Sequence, residues 1–297
     1  MRYVLLTALF LAACATVPAP AAAQGSCLPA AGYSRSDLDG LKQAEWRVGD
    51  DARRNALARA LTACLADPDP ALRDGIAFEA YAHWLRSRAL SNETMLWLAD
   101  DLQARLTAPE GAGFERPFAA LVLSEVARAD RIDTYMTPER RASLLDASIA
   151  YFTSVRDYRG FDDREGWRHG VAHSADILLQ LGLNPAFGKP DLTRIRDAIG
   201  TQLAPEGHFY TYGESERMAR PIIFIAQREV FTAEEWREWL VRVTATPADA
   251  YSSQAGLARR HNMMVFLSLL YVQADLSSNE ADNVLLPGAT AAFREMP

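Results

Sequence analysis

The chain has 297 residues, of which 49% are hydrophobic and 23% charged, a globular composition sufficient for one large domain or two small ones. Its formal net charge is −7, and no basic run or basic-aromatic patch occurs along the sequence. This pattern argues against nucleic acid as a partner.

The first residues carry the pattern of a bacterial export signal, in which Arg2 gives a positive start and an apolar stretch and small residues follow. The apolar stretch is too short to cross a bilayer as a helix of about 20 residues. Two cleavage positions remain open. Cleavage before Cys14 would remove residues 1–13 and leave a lipidated cysteine, whereas cleavage after three alanines would remove residues 1–23. We therefore expect the protein in the periplasm or as a membrane-anchored lipoprotein, with a lipid anchor as its only contact with the membrane.

In an exported chain the two remaining cysteines, Cys27 and Cys64, form an even pair that predicts a disulfide. The bond would join an N-terminal tail, residues 24–35, to the second predicted helix and would stabilise the fold by about 3–4 kcal/mol. The alternative is two free thiols, one buried and one in a frayed tail.

Helical patterns follow one another along the rest of the chain. Thr137, Pro138 and Glu139 mark a helix start with a cap, a first-turn proline and an acid at the positive end of the dipole. Residues 232–235 form a capping box. A Val/Ile-rich run around Pro221 could be a strand, but its flanks favour a helix bent at that proline. Since no alternating strand runs occur, we predict an all-α protein. The predicted helices cover residues 36–46, 51–66, 70–88, 92–106, 116–129, 137–155, 214–229, 250–274 and 279–294, besides one that begins near residue 232 and one across residues 166–182.

An Asp-Pro-Asp-Pro turn at residues 67–70, followed by Leu72 and Arg73 at the start of a helix, is typical of a HEAT-type repeat. Such repeats stack helix pairs because a single pair cannot bury its own apolar face. Later units do not repeat the motif closely. We therefore predict a degenerate α/α helical repeat array, a HEAT-like solenoid or curved helical bundle, as a single domain over residues 36–297. An irregular helical bundle is the alternative.

A stripe of short polar side chains is predicted on one face of the central helix. A helix turns about 100° per residue, so a helix through this region places these side chains together, opposite Trp167, Val171, Ala175 and Leu178. Exposed helix faces usually carry Lys, Arg and Glu, so the stripe favours a groove, with a solvated face as the alternative. The stripe consists of Glu165, His169, His173, Asp176 and Gln180.

Histidines at i and i+4 with an aspartate at i+7 also have the spacing of a metal site. His169, His173 and Asp176 would bind a divalent ion such as zinc, and His208 is a possible further ligand. The pattern lacks the glutamate that follows the first histidine in zinc-protease helices. The alternative is a network in which arginines pair with the nearby carboxylates.

Charged and aromatic residues around this helix are the candidate ligand contacts, because loops of this composition often carry function. If the site is catalytic, Glu165 or Glu214 is the candidate base that activates water. The candidate ligand-binding residues are Asp157, Arg159, Trp167, Glu216 and Arg217.

Two segments, residues 157–160 and 166–176, resemble the central signature of a bacterial domain-of-unknown-function family, number 2785. The resemblance implies a HEAT-like α-helical protein without an established activity. The chain departs from the family pattern at Arg168, where a small residue usually precedes the first histidine, and an export signal is not typical of the family. Weaker likenesses occur at residues 67–70, 73–74, 116–121 and 214–217. The signature positions are Trp167, His169, His173 and Asp176.

Three functions fit these patterns. The first is an exported repeat protein that binds a ligand, a peptide or an envelope protein in a central groove lined by His, Asp and Glu. The second is a metal-dependent hydrolase of the cell envelope. The third is a purely structural lipoprotein.

Overall fold

The computed structural model describes residues 27–109 and 111–297. The predicted signal peptide and Cys14 lie outside the described residues, so signal cleavage and lipidation stay predictions. The predicted all-α class is confirmed, because helices dominate and the sheet of this part of the chain has only two short strands. Within the same residues no helix has both the length and the apolar composition needed to cross a membrane.

The helices follow the predicted order along the chain, except that the helix over residues 189–202 was not predicted. They are α1 (Arg35–Gln43), α2 (Asp51–Ala60), α3 (Pro70–Leu72), α4 (Glu79–Arg86), α5 (Asn92–Arg105), α6 (Glu115–Ile132), α7 (Pro138–Ser154), α8 (Gly170–Leu183), α9 (Lys189–Gln202), α10 (Glu214–Ala226), α11 (Ala233–Thr244), α12 (Gln254–Leu276) and α13 (Leu286–Glu295). A π-helical segment, Arg73–Phe78, joins α3 to α4, and 3₁₀ segments cover Leu61–Ala66, Ala250–Ser252 and Glu280–Leu285. The strands β1 (Phe161–Asp162) and β2 (Gly166–Trp167) form an antiparallel hairpin before α8.

The start signals read from the sequence act as helix caps. The Thr137 side chain accepts a backbone N–H at the start of α7, and Thr232 with Glu235 forms the predicted capping box of α11. Pro221 lies inside α10, so the helix around it is confirmed and the alternative strand is wrong. Local capping chemistry therefore sets these boundaries as expected.

The helices stack in two rows. In the first row α4, α6, α8, α10 and α12 each pack against the next, and in the second row α5, α7 and α9 do the same. Helices of the second row also contact the first, and α13 packs against both α11 and α12. One apolar core continues from Ala30 to Ala292. Contacts between successive neighbours are what a helical array requires.

The predicted disulfide is confirmed: Cys27 and Cys64 are bonded, with their Cα atoms 5.1 Å apart. Cys64 lies in the 3₁₀ segment that continues α2, and Cys27 lies in the segment before α1. The bond therefore fastens the N-terminal segment to the start of the array.

Helix α8 lies in the middle of the first row, between α6 and α10, and is buried on almost every side. Val171, Ala175 and Leu178 are buried, as predicted for its apolar face. Gly182 allows α10 to approach closely, since a Cβ there would lie 3.1 Å from Ile225 Cγ1. The polar side chains of α8 are consequently held within the protein.

Candidate functional site

The start of α8 differs from the sequence prediction. His169 has φ 56° and ψ 40°, in the left-handed region, and α8 begins only at Gly170. Gly166 has φ 72° within the hairpin, and a Cβ there would lie 2.8 Å from the Pro70 Cβ. The prediction that Glu165 continues the helical stripe is therefore wrong, because the chain turns through a hairpin at that point. The prediction that Trp167 lies opposite the histidines is wrong for the same reason.

Arg73 fixes the hairpin against the inter-repeat turn. Its fully buried guanidinium donates to the Asp74 carboxylate at 2.7 Å and to the carbonyls of Asp67 at 2.9 Å and Glu165 at 2.7 Å. Its charged centre also lies 4.0 Å from the centroid of the Phe114 ring. The arginine of the HEAT-like motif thus positions the loop that leads into the site.

A cavity of about 740 Å³ opens beside α8, between helices of the first row. Four members of the predicted stripe line it, whereas Glu165 does not. Glu165 is exposed on the hairpin and forms an ion pair with Arg168 at 2.9 Å. The aromatic lining is Phe78, Phe118, Trp167 and Tyr212. The polar and charged lining includes Asp74, Arg86, Ser124, Glu125, Arg128, His169, His173, Asp176, Gln180, Glu216, Arg217 and Arg220.

His169 lines this cavity and has an unpartnered ring nitrogen. Its Nε2 is buried and has no hydrogen-bond partner among the described residues, while its ring donates to the Tyr212 carbonyl, so we place that N–H on Nδ1. Burial, helped by the charge of Arg217, lowers the pKa of His169 to about 4. The ring stacks on Trp167, with centroids 4.7 Å apart. His169 is therefore a neutral, oriented imidazole with a free lone pair.

His173 repeats this arrangement one turn along α8. Its ring donates to the Pro117 carbonyl, and its buried Nδ1 has no hydrogen-bond partner in the part of the chain described. Burial lowers the pKa of His173 well below 6.5, and the neighbouring His169 and Arg217 side chains act in the same direction. Two neutral imidazoles, with ring centroids 5.5 Å apart, thus each offer one lone pair.

Asp176 is the third predicted ligand, and its carboxylate pairs with the Arg217 guanidinium. Burial raises the pKa of Asp176 to about 6, in spite of the opposing attraction of Arg217 and Arg220. Asp176 is therefore turned toward α10 and holds a charge that the surroundings only partly stabilise.

The predicted metal ligands are not brought together as a metal-binding group. No cluster of three or more His, Cys, Asp or Glu side chains across residues 27–109 and 111–297 is arranged to hold an ion. Asp176 pairs with Arg217, and His208 stacks on Tyr158 at 5.2 Å and does not line the cavity.

The remaining predicted residues divide between the cavity and its surroundings. Glu216 and Arg217 line the cavity, as expected for ligand contacts. Glu214 is buried behind it, 3.7 Å from His169 Nε2, and accepts the backbone N–H of Tyr212. Asp157 and Arg159 pair with each other, Nε to Oδ1 at 2.8 Å, and are not part of this lining.

Sequence reasoning missed arginines on the flanking helices. Arg86 pairs with Glu125 across the cavity, whereas Arg128 and Arg220 form no hydrogen bond or ion pair within the residues described. Arg128 follows Glu125 at i+3 on α6, and Arg220 follows Arg217 at i+3 on α10. That spacing is visible in the sequence, but it becomes informative only once both helices are known to flank α8.

Fold and site together define an all-α helical array with a cavity of mixed polar, charged and aromatic lining on one row of helices. The chain belongs to the family described as Protein of unknown function (DUF2785), whose profile matches residues 104–272. This match covers more than half of the chain and includes both histidines and Asp176. No curated protein and no solved structure matches the chain.

Proposed function

We propose that this is an exported binding protein whose central cavity takes a hydroxylated small molecule with an acidic group. The observation that carries the proposal is the pair of lone pairs on His169 Nε2 and His173 Nδ1. Both side chains are only 6% exposed, and neither nitrogen has a partner within the described chain. Buried polar atoms are normally satisfied, so two such atoms on side chains that line one cavity favour a ligand that donates hydrogen bonds to them.

The surrounding charge favours a neutral hydroxyl as the donor. Arg217 lowers the pKa of both imidazoles, and Arg73 lowers that of His173, so both guanidinium groups make these positions less favourable for a cation. At His169 alone a carboxylate lies close by, with Glu214 Oε1 3.7 Å from Nε2, and it would favour a cation there. The argument for a hydroxyl group is therefore strongest at His173.

Arg128 and Arg220 supply the complementary part of the site. Neither forms an ion pair in the described residues, and both line the cavity. Guanidinium groups bind carboxylates through paired, charge-assisted hydrogen bonds. Among the acidic residues that line the cavity, only Glu216 has no ion pair within the described residues. The lining therefore has two arginines without an ion pair, Arg128 and Arg220, against one such carboxylate. The aromatic walls at Trp167 and Phe118 suit the apolar faces of a ring.

The test uses three probes: D-galacturonate, D-galactose, which lacks the acid, and cyclohexanecarboxylate, which lacks the hydroxyl groups. Histidine-¹⁵N NMR of the full mature protein should show the ring signals of His169 and His173 shifting with D-galacturonate and less with the other two. His169→Gln with His173→Gln should abolish binding, and His83→Gln, on the exposed surface of α4, is the matched control. Unchanged histidine signals with all three probes would refute the proposal.

Export is part of the same proposal and rests on two observations. The N-terminal residues have the export pattern, and Cys27 and Cys64 form a disulfide, which persists in oxidising compartments. Fractionation of expressing bacteria, with the mass of the mature N-terminus, tests it. Cytoplasmic protein with an intact N-terminus contradicts export.

A further inference from the structure

A second cavity, of about 490 Å³, lies beside the hairpin that leads into the site. Tyr212 lines both this cavity and the central cavity. The ring of Tyr212 packs on Gly160, where a Cβ would lie only 2.1 Å from Tyr212 Cδ2. Tyr212 is thus held in place as the wall that the two cavities share.

Three aromatic rings form a ridge between the cavities. The Trp167 centroid lies 5.0 Å from that of Phe161 and 6.2 Å from that of Tyr212. Phe161 is 44% exposed and Tyr212 is 43% exposed, so the ridge presents aromatic surface to solvent. The three residues, Phe161, Trp167 and Tyr212, are called the aromatic ridge below.

The second cavity shares part of the chemistry of the first. His208 lines it, and its buried Nε2 has no hydrogen-bond partner among the described residues. Its ring stacks on Tyr158 at 5.2 Å, as His169 stacks on Trp167. Arg159 and Arg168 also line it, paired with Asp157 and Glu165, and the carboxylates of Asp162 and Glu165 belong to the same lining. An unpartnered imidazole nitrogen and a stacked aromatic ring therefore occur on both sides of the aromatic ridge.

We infer that the ligand is a linear saccharide, with an acidic unit in the central cavity, the chain across the aromatic ridge and a further sugar unit in the second cavity. This inference rests on the proposed function. Repeated sugar units explain why both cavities offer an imidazole nitrogen beside an aromatic ring, and the apolar faces of sugar rings pack on exposed aromatic surface. An acidic peptide would satisfy the arginines but would bring fewer hydroxyl donors for the three imidazoles.

Calorimetry on the full mature protein tests the inference with D-galacturonate, its α-1,4-linked tetramer and tetraglutamate. The tetramer should bind at least about tenfold more tightly than the monomer, because neighbouring units bind at high effective concentration. Phe161→Ala should bring the ratio of tetramer to monomer affinity close to one, and His208→Gln should lower it. Tyr251→Ala removes an aromatic ring that is 62% exposed outside both cavities, and should leave the ratio unchanged.

The outcomes separate this inference from the proposed function. Monomer binding with no gain for the tetramer overturns the saccharide chain and leaves the central site in place. An equal gain for tetraglutamate also overturns it, in favour of a peptide ligand. A ratio lowered equally by Phe161→Ala and Tyr251→Ala contradicts the role of the aromatic ridge. If neither sugar binds, the proposed function fails as well.

Discussion

Asp176 on α8 and Arg217 on α10 form an ion pair beside the cavity, yet burial raises the pKa of Asp176 from 3.8 to about 6. The folded protein therefore binds this proton more strongly than the unfolded chain does. The contribution of Asp176 to stability is fully present below about pH 4 and is lost as the pH rises through about 6. Its total size is at most about 3 kcal/mol.

Asp176→Asn should remove this contribution. Between pH values of about 4 and 6, the free energy of unfolding of the variant should rise more steeply with pH than that of the parent protein, because the falling contribution is gone. Urea unfolding at a series of pH values measures both slopes. Identical slopes for the two proteins would show that Asp176 titrates normally.

His169 should change the free energy of unfolding with pH in the opposite direction to Asp176. Its pKa is about 4 in the folded protein against 6.5 ordinarily, so the unfolded chain takes up the proton first as the pH falls. The stability that depends on neutral His169 is therefore present above about pH 6.5 and is lost as the pH falls through about 4. His169→Gln should flatten the rise of unfolding free energy over this window in the same urea measurements. An equal effect of the exposed control His83→Gln would contradict this assignment.

The helices of this array could be predicted because their signals are local. Thr137 and Thr232 cap the helices that they were expected to begin, and the spacing of Val171, Ala175 and Leu178 marks one buried face of α8. The hairpin before α8 could not be predicted in this way. It depends on the Arg73 guanidinium, which reaches the Glu165 carbonyl across 92 positions of sequence.

The site was predicted in part for the same physical reason. His169, His173 and Asp176 were found because they lie on or beside one helix. Helical spacing does not apply to Glu165 and Trp167, because both residues precede the first residue of α8. Arg128 and Arg220 were missed because only long-range packing brings their helices to the two sides of α8. Helical periodicity shows which residues share one face of a helix, whereas the faces of several helices form a cavity.

Arg73→Met should destabilise the protein and loosen the hairpin. The variant leaves Asp74 and the carbonyls of Asp67 and Glu165 without their donor, so we expect a loss of about 3–5 kcal/mol in unfolding free energy. Hydrogen exchange at residues 161–167 should accelerate. Arg73→Lys keeps the positive charge but not the planar guanidinium with its several N–H donors, so it should recover only part of the lost unfolding free energy. Unaltered hairpin exchange in Arg73→Met would contradict the anchoring role.

Removing the disulfide should affect stability and leave ligand binding intact. The bond joins two cysteines 37 positions apart at the start of the array, away from the cavity lining. Replacing Cys27 and Cys64 together with alanine should lower the unfolding free energy by about 3–4 kcal/mol. Urea unfolding of parent and variant measures this, and D-galacturonate titration serves as the control. If the variant is fully folded and still binds D-galacturonate more weakly than the parent protein, the N-terminal segment contributes to the site.

Gly160→Ala should disturb the aromatic wall that the two cavities share. Its Cβ would overlap the Tyr212 ring, and since Gly160 is buried the ring must move or the hairpin must shift, at a cost of about 1–3 kcal/mol. We expect weaker binding of D-galacturonate and a larger loss for its tetramer, because Tyr212 lines both cavities. Gly49→Ala is the matched control, since no atom lies within 4 Å of a Cβ at that position. Urea unfolding and calorimetry together test the role of Tyr212. If the Gly160→Ala protein is destabilised but binds both sugars with the parental affinity, Tyr212 is not part of the binding surface.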